Sequence, residues 1–202
     1  MAQRDKYQEH DTPVLWDTIE ANPFGTLIGI SGHDPRVAHL PFVLQRSSGS
    51  LGALHGHVAA SNPIVADLGG HLLVVFSGPH AYISPRWYTN ANRVPTWNYV
   101  AVHARGRGRL VTDETQQDKL MDELVARFET EPEGWSRSRL TEEQYLNRRK
   151  VIQPFEIEIE RLEGVFKLSQ DKALADRLEV VSGLERESHE PALVELMKRR
   201  LQ

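Results

Sequence analysis

The sequence predicts a mainly β fold, a small barrel with helical additions, and three observations predict it. About six short strand-like runs are separated by glycine-, proline- and serine-rich turn signals. Near the end of the chain, Phe155, Ile157 and Ile159 alternate with Glu156, Glu158 and Glu160, which gives one buried and one wetted face. Long helical patterns are few, as suits a closed or half-closed sheet rather than a bundle or an α/β layout.

The elements follow in order. Thr12-Pro13 reads as an N-cap followed by proline at the first helical position, where its missing N–H costs nothing. Leu15, Trp16 and Ile19 then share one side of a short helix that stops before Asn22-Pro23. Strand-like runs cover Gly25–Ile30, Arg36–Leu44, Leu51–Val58 and His71–Ser77, with turns at Ser31–Pro35, Ser47-Ser48-Gly49 and Gly69-Gly70. Ile64, Val65 and Leu68 suit one or two helical turns after Asn62-Pro63. Tyr99–Val111 is a long strand with Arg105, Arg107 and Arg109 on one face. Leu120, Met121, Leu124, Val125 and Phe128 form the apolar stripe of a helix. Beyond the alternating strand, Leu174, Leu178 and Val181 suggest a helix ending at Gly183. Leu193, Leu196, Met197 and Leu201 suggest another, loosely attached.

With 202 residues the chain suits one domain plus an appendage. Hydrophobic residues at 40% and charged residues at 26% describe a globular protein. The formal net charge of −4 provides no global basic field for nucleic acid or anionic lipid, so a DNA role would need a local basic patch. The absence of cysteine removes disulfides, thiolate zinc sites and thiol nucleophiles, and fits a reducing, cytoplasmic setting. The charged stretch Met1–His10 is not a secretory signal, and no apolar run reaches the roughly 18 residues of a membrane span.

Two stretches carry more chemistry than structural strands need. Phe76–Tyr88 and Val94–Tyr99 hold two of the four tryptophans and three of the five tyrosines, interleaved with Ser, Thr, Asn, His and Arg. Flat aromatic walls with hydrogen-bonding groups suit a planar heteroaromatic ligand. An aromatic core cluster with prolines at barrel corners accounts for the same composition equally well. His39, His55, His57 and His103 invite a metal reading, but no HExxH helix or carboxylate spacing supports one, and no metal is expected. Ser84 lacks an evident base partner, and no catalytic residue is assigned. Neither a glycine-rich dinucleotide turn nor a P-loop occurs, because Gly106-Arg107-Gly108-Arg109 lies inside a strand. A phosphate would therefore be held by side chains and loose amides, with His57, Ser61, Asn62, Arg86, Lys167 and Ser169 as candidates.

At these residues the sequence resembles the PaiB-like family of FMN-binding split-barrel proteins, often described as negative transcriptional regulators. The matching blocks are His39–Phe42, Gly56–Ala59 with Asn62-Pro63, Gly78–Pro85 with Trp87-Tyr88, Val94–Tyr99 with Val102 and Gly106, and Glu163-Gly164 with Lys167–Gln170. Together they cover roughly Pro13 to Leu184. Two departures stand out: Tyr7-Gln8-Glu9-His10 replaces the usual tyrosine–x–proline–x–x–phenylalanine opening, and Asp171 stands where the family usually has asparagine.

The resemblance implies a split β-barrel homodimer with FMN bound between its subunits. One subunit would supply the backbone around His39, Leu40 and Pro41 along the ring edge, with His57 and Asn62 at the phosphate. The partner would add Trp97, Asn98 and the segment containing Lys167, Ser169 and Gln170. Tyr82, Ser84, Trp87 and Thr96 complete the implied FMN-binding set. The implied layout is a flexible N-terminus (1–11), a split-barrel domain (12–170) and a C-terminal helical segment (171–202). Three functions follow by analogy: an FMN-binding regulator touching DNA through Arg105, Arg107 and Arg109 or Arg148-Arg149-Lys150, an FMN-dependent oxidoreductase with His39 or Tyr82 as acid–base partner, and a haem-handling protein. A solvated strand face and a charged helix end explain the same basic residues more simply.

Overall fold

A computed structural model describes residues 5–29, 34–89, 93–131, 133–187 and 189–201. Within them lie β1 (Gln8–Glu9), α1 (Thr12–Ala21), β2 (Phe24–Gly29), β3 (Arg36–Pro41), β4 (Val43–Gln45), β5 (Ala53–Ala59), β6 (His71–Ile83), β7 (Thr96–Leu110), α2 (Glu114–Phe128), α3 (Glu142–Arg149), β8 (Ile152–Lys167), α4 (Leu174–Arg186) and α5 (Pro191–Arg199). The strands form one sheet in the order β3-β2-β6-β7-β8-β5-β4, with β1 paired to β8. The mainly β expectation holds. Among the described residues no helix is long and apolar enough to cross a membrane.

The chain divides into two compact units, Met1–Leu15 with Ser77–Val102 and Glu163–Gln202, and Trp16–Phe76 with His103–Leu162. In the second unit, Phe42 is the centre of the core. Its ring meets Phe76 edge-on at 5.6 Å and Phe155 at 6.3 Å, a geometry that favours the aromatic quadrupoles. Leu27, Leu54, Leu68, Leu72 and Ile157 of the same unit are fully buried, each contributing roughly 1.5–3 kcal/mol of hydrophobic stabilisation. On β7, a Cβ at Gly106 would stand 1.9 Å from the Glu158 carbonyl oxygen, and one at Gly108 would stand 2.1 Å from that of Leu68. These glycines serve close backbone approach within a strand. Helix α2 packs Leu120 and Leu124 against Val111, with Met121 and Val43 at the margin.

In the first unit, α4 and α5 pack on each other and bury Val180, Val181, Leu184, Leu193, Val194 and Met197. Gln8 and Glu9 pair with Val165 and Gly164, so the N-terminal segment expected to be flexible joins the sheet there.

Several expectations need correction. The run Arg36–Leu44 is two strands, because Phe42 donates its N–H to the Pro23 carbonyl (2.9 Å) and turns its ring into the core. Strand β6 continues six residues past Ser77, through Gly78-Pro79. Its inward positions are Leu72, Val74, Phe76 and Gly78, then Ala81 and Ile83, so the alternation slips by one residue at Pro79-His80, as at a bulge. Helix α4 runs through Gly183 to Arg186, and its exposed residues include Leu174 and Leu178, two of the three that defined its stripe. Gly183 serves packing, since the Trp87 ring lies where its Cβ would be. Helix α5 is firmly seated, with Leu193 fully buried. Phe128 closes the α2 stripe but is exposed. Helix α3, which has no buried residue, carries a complete Thr141–Gln144 capping box that the apolar patterning does not reveal. Ile30 and the Ser31–His33 part of the first turn lie outside the described residues.

Candidate functional site

In the second unit, β2 and β3 pair antiparallel with Phe24 opposite Pro41, Thr26 opposite His39 and Ile28 opposite Val37. Alternation sends Leu27, Ala38 and Leu40 into the core and leaves the other face outward. On that face Phe24 is 65% and Val37 53% exposed. Thr26 Oγ1 and His39 Nδ1 lie 3.0 Å apart, which fixes the imidazole and turns its Nε2 away from the pair. Of the implied strand set, His39 and Pro41 therefore lie on the outward face, while Leu40 belongs to the core.

His57 lies on β5 opposite Pro154. Its Nδ1 is buried with no hydrogen-bond partner among the described residues, and burial lowers its pKa below the ordinary histidine value. A buried orphan nitrogen costs free energy in the isolated chain and marks a place where a ligand acceptor or donor would be welcome. Asn62 behaves differently: its side-chain oxygen accepts from Ile64 N–H at 3.0 Å and caps the short 3₁₀ turn Pro63–Asp67. The amides of Asn62 and Val65 are also taken within the chain. The backbone amides of Asn62, Ile64 and Val65 are thus already satisfied, which leaves side chains to meet any ligand at this turn.

His55, two residues before His57, serves structure. Its two ring nitrogens lie 2.9 Å from Glu123 and 3.0 Å from Glu156, on opposite edges of the ring. That arrangement ties α2 to the sheet and uses both positions a metal would need. Along β7 and β8, Arg109 faces Glu156 at 3.3 Å, and Arg105 is engaged as well. One arginine of the row is thus matched by a glutamate of the alternating strand. Arg149 is held by Glu114 at 2.7 Å and by Asp118 at 3.6 Å.

The first unit gathers the second block of candidates. Trp97 is 53% exposed and Tyr82 44%, with their rings edge-to-face at 6.1 Å. His80 flanks the same indole at 6.2 Å. The slip in β6 is what places His80 and Tyr82 outward beside Trp97. Beside this platform, Lys167 Nζ donates to Thr96 Oγ1. Partial burial lowers the Lys167 pKa, with Asp171 opposing that shift.

Five other implied contacts have their polar atoms taken by the fold itself. Ser84 is buried and caps the turn Pro85–Trp87, accepting from Arg86 N–H and Nε. Trp87 is buried and donates to Glu187. Asn98, fully buried, exchanges hydrogen bonds with Ser169 at 2.9 and 3.2 Å. Ser169 adopts a left-handed backbone with φ of 60°. Gln170 bridges Leu168 N–H and the carbonyls of Phe166 and Lys6. Asp171 receives Lys6 at 2.9 Å and Lys172 at 3.0 Å. Burial alone would raise its pKa, but the two ammonium groups outweigh it and hold the carboxyl at about 2. Its negative charge is thereby matched within the chain.

Three features fit a phosphorylated planar heteroaromatic ligand: an exposed aromatic platform, an exposed apolar strand face bearing a fixed histidine, and a buried unpartnered imidazole nitrogen. Among the described residues no cluster of three or more metal-ligating side chains occurs.

Comparison with known proteins agrees with this chemistry. Residues 1–161 match the family model described as "Putative FMN-binding domain". The chain is 32% identical over 197 residues to the protease synthase and sporulation protein PAI 2 of Bacillus subtilis, covering 93% of this chain and 91% of that one. Among solved structures it is similar to the flavocytochrome Anf3 of Azotobacter vinelandii (TM-score 0.65, 15% identity, 82% of this chain and 72% of that one). It is also similar to the FAD and haem binding protein of Mycobacterium smegmatis (TM-score 0.61, 15% identity, 84% and 78%). At these identities the structural matches establish the split-barrel fold.

Proposed function

The chain belongs to the PaiB-like FMN-binding family, and on that premise we propose that it holds FMN between two copies of itself as a cytoplasmic regulator. The observation that carries the reading is the buried, unpartnered Nδ1 of His57, because a fold of this composition gains nothing by leaving such a group without a partner. One copy offers His39, Pro41, His57 and Asn62. The other offers Tyr82, Thr96, Trp97 and Lys167, with Ser84, Trp87, Asn98, Ser169 and Gln170 as the framework behind them. His39 and the aromatic platform suit the ring system, and His57 and Lys167 suit the phosphate. Bound FMN supplies a ring able to accept and return electrons or hydride. The chain's own work is to orient that ring and to exclude water from it.

Direct DNA contact draws little from the arginine row, since Arg109 is matched by Glu156. An FMN-dependent oxidoreductase is the less favoured reading, because a relative covering nearly the whole chain is named for protease synthesis and sporulation. Purification of the full chain tests the proposal. The expected result is a yellow protein that sediments as a dimer and releases FMN on heating. Trp97→Ala is expected to weaken FMN by about tenfold or more, the scale of one lost aromatic contact in a desolvated site. A chain that remains monomeric and takes up no added FMN would overturn it.

A further inference from the structure

A cavity of about 280 Å³ lies within the second unit, between α2, α3 and the segment that joins them. Its walls are apolar: Met121 and Val125 from α2, Trp135 and Leu140 from the joining segment, and Val151 and Ile152 at the start of β8. Two of these side chains are left largely open, Trp135 at 39% and Val151 at 62% exposure. The rim is cationic, with Arg137, Arg148 and Arg149 against the single carboxylate of Asp122. Arg137 is occupied by Asp118 at 3.2 Å and Asp122 at 3.7 Å, and lies over the Tyr145 ring. Arg149 is held by Glu114 and Asp118. Arg148 makes no ion pair among the described residues. One guanidinium is therefore left over at the mouth of an apolar chamber.

We propose that this cavity binds a small, flat organic monocarboxylate, its ring against Trp135 and Val125 and its carboxylate on Arg148. The volume decides the size class: it falls just below the roughly 300–1,000 Å³ typical of ligand pockets, too small for a nucleotide. The charge decides the sign, since a guanidinium pairs with a carboxylate by two parallel charge-assisted hydrogen bonds. The inference goes beyond the flavin site and does not rest on it.

Calorimetric titration of the full chain with benzoate, and with uncharged benzamide, tests the assignment. Benzoate is expected to bind with a dissociation constant on the order of 1 mM, a reasonable affinity for so small a ligand. Arg148→Gln is expected to weaken benzoate about tenfold and leave benzamide unchanged, as the loss of one charged partner requires. Val125→Trp, which fills the chamber, is expected to abolish both. Prior saturation with FMN is expected to leave the benzoate affinity unchanged, which separates this site from the flavin reading. Absence of benzoate binding overturns the proposal, as does equal binding by the wild type and Arg148→Gln. Self-association abolished by Val151→Asp would also overturn it, since a second copy would then cover the cavity.

Discussion

Gly183 and Trp87 are about a hundred positions apart in sequence, and neither explains itself alone. A Cβ on Gly183 would stand 2.4 Å from the indole. Replacing it by alanine gains about 1 kcal/mol of helix propensity. The rigid ring cannot yield, and overpacking costs about 1–3 kcal/mol. Gly183→Ala is therefore expected to lower stability by up to roughly 2 kcal/mol in urea denaturation. Two ionisable residues give pH signatures of different position. His57 has a depressed pKa in the folded chain, so the unfolded chain binds the extra proton first. Stability of the flavin-free protein should be complete above about pH 6.5 and decline as pH falls through the folded value. His57→Gln should flatten that decline. Asp171, held at about 2, contributes stability above the unfolded carboxyl value of about 3.9 that is lost toward pH 2. Asp171→Asn should remove this acid limb and leave the neutral-pH fold intact.

At the scale of elements, α3 makes the sharpest case for capping over packing. None of its residues is fully buried, so its start leans on Thr141 and Gln144. Thr141→Ala should cost about 1 kcal/mol locally, seen as faster amide exchange in Glu142–Arg149 with little change in the global midpoint. This helix was hard to read from apolar spacing because it has no apolar stripe, whereas the alternation at Phe155–Glu160 was plain. The same strand's flanks, Ile152–Pro154 and Arg161–Lys167, break the period and so did not show its full length. The second half of β6 is hard to read for a related reason: Gly78-Pro79 brings the residue types of a turn into the middle of a strand. Within the candidate site, the blocks around Trp97 and Lys167 were legible as motifs. What could not be read was which polar atoms remain free, because Asn98 and Ser169 satisfy each other across 71 positions.

For the molecule as a whole, binding and folding are linked. If FMN occupies only the native, paired state, free FMN at 100 times its dissociation constant adds about 2.7 kcal/mol to stability. The unfolding midpoint should then rise with FMN and with protein concentration alike, in scanning calorimetry of the wild type. Trp97→Ala should lose the FMN-dependent part. Each of the two units is assembled from stretches separated in sequence, an arrangement that local sequence patterns do not reveal. Strands β6, β7 and β8 each begin in one unit and end in the other.

The slipped alternation in β6 has a consequence for how this strand can change length. Removing one residue elsewhere in a pleated strand inverts every side chain beyond the cut. At Pro79 or His80 the surplus residue is the one the irregularity already absorbs, so its loss leaves Ala81 and Ile83 inward and Tyr82 outward. Single-codon losses at that spot should be survivable where neighbouring ones are not, and lineages that shorten this strand should do so there.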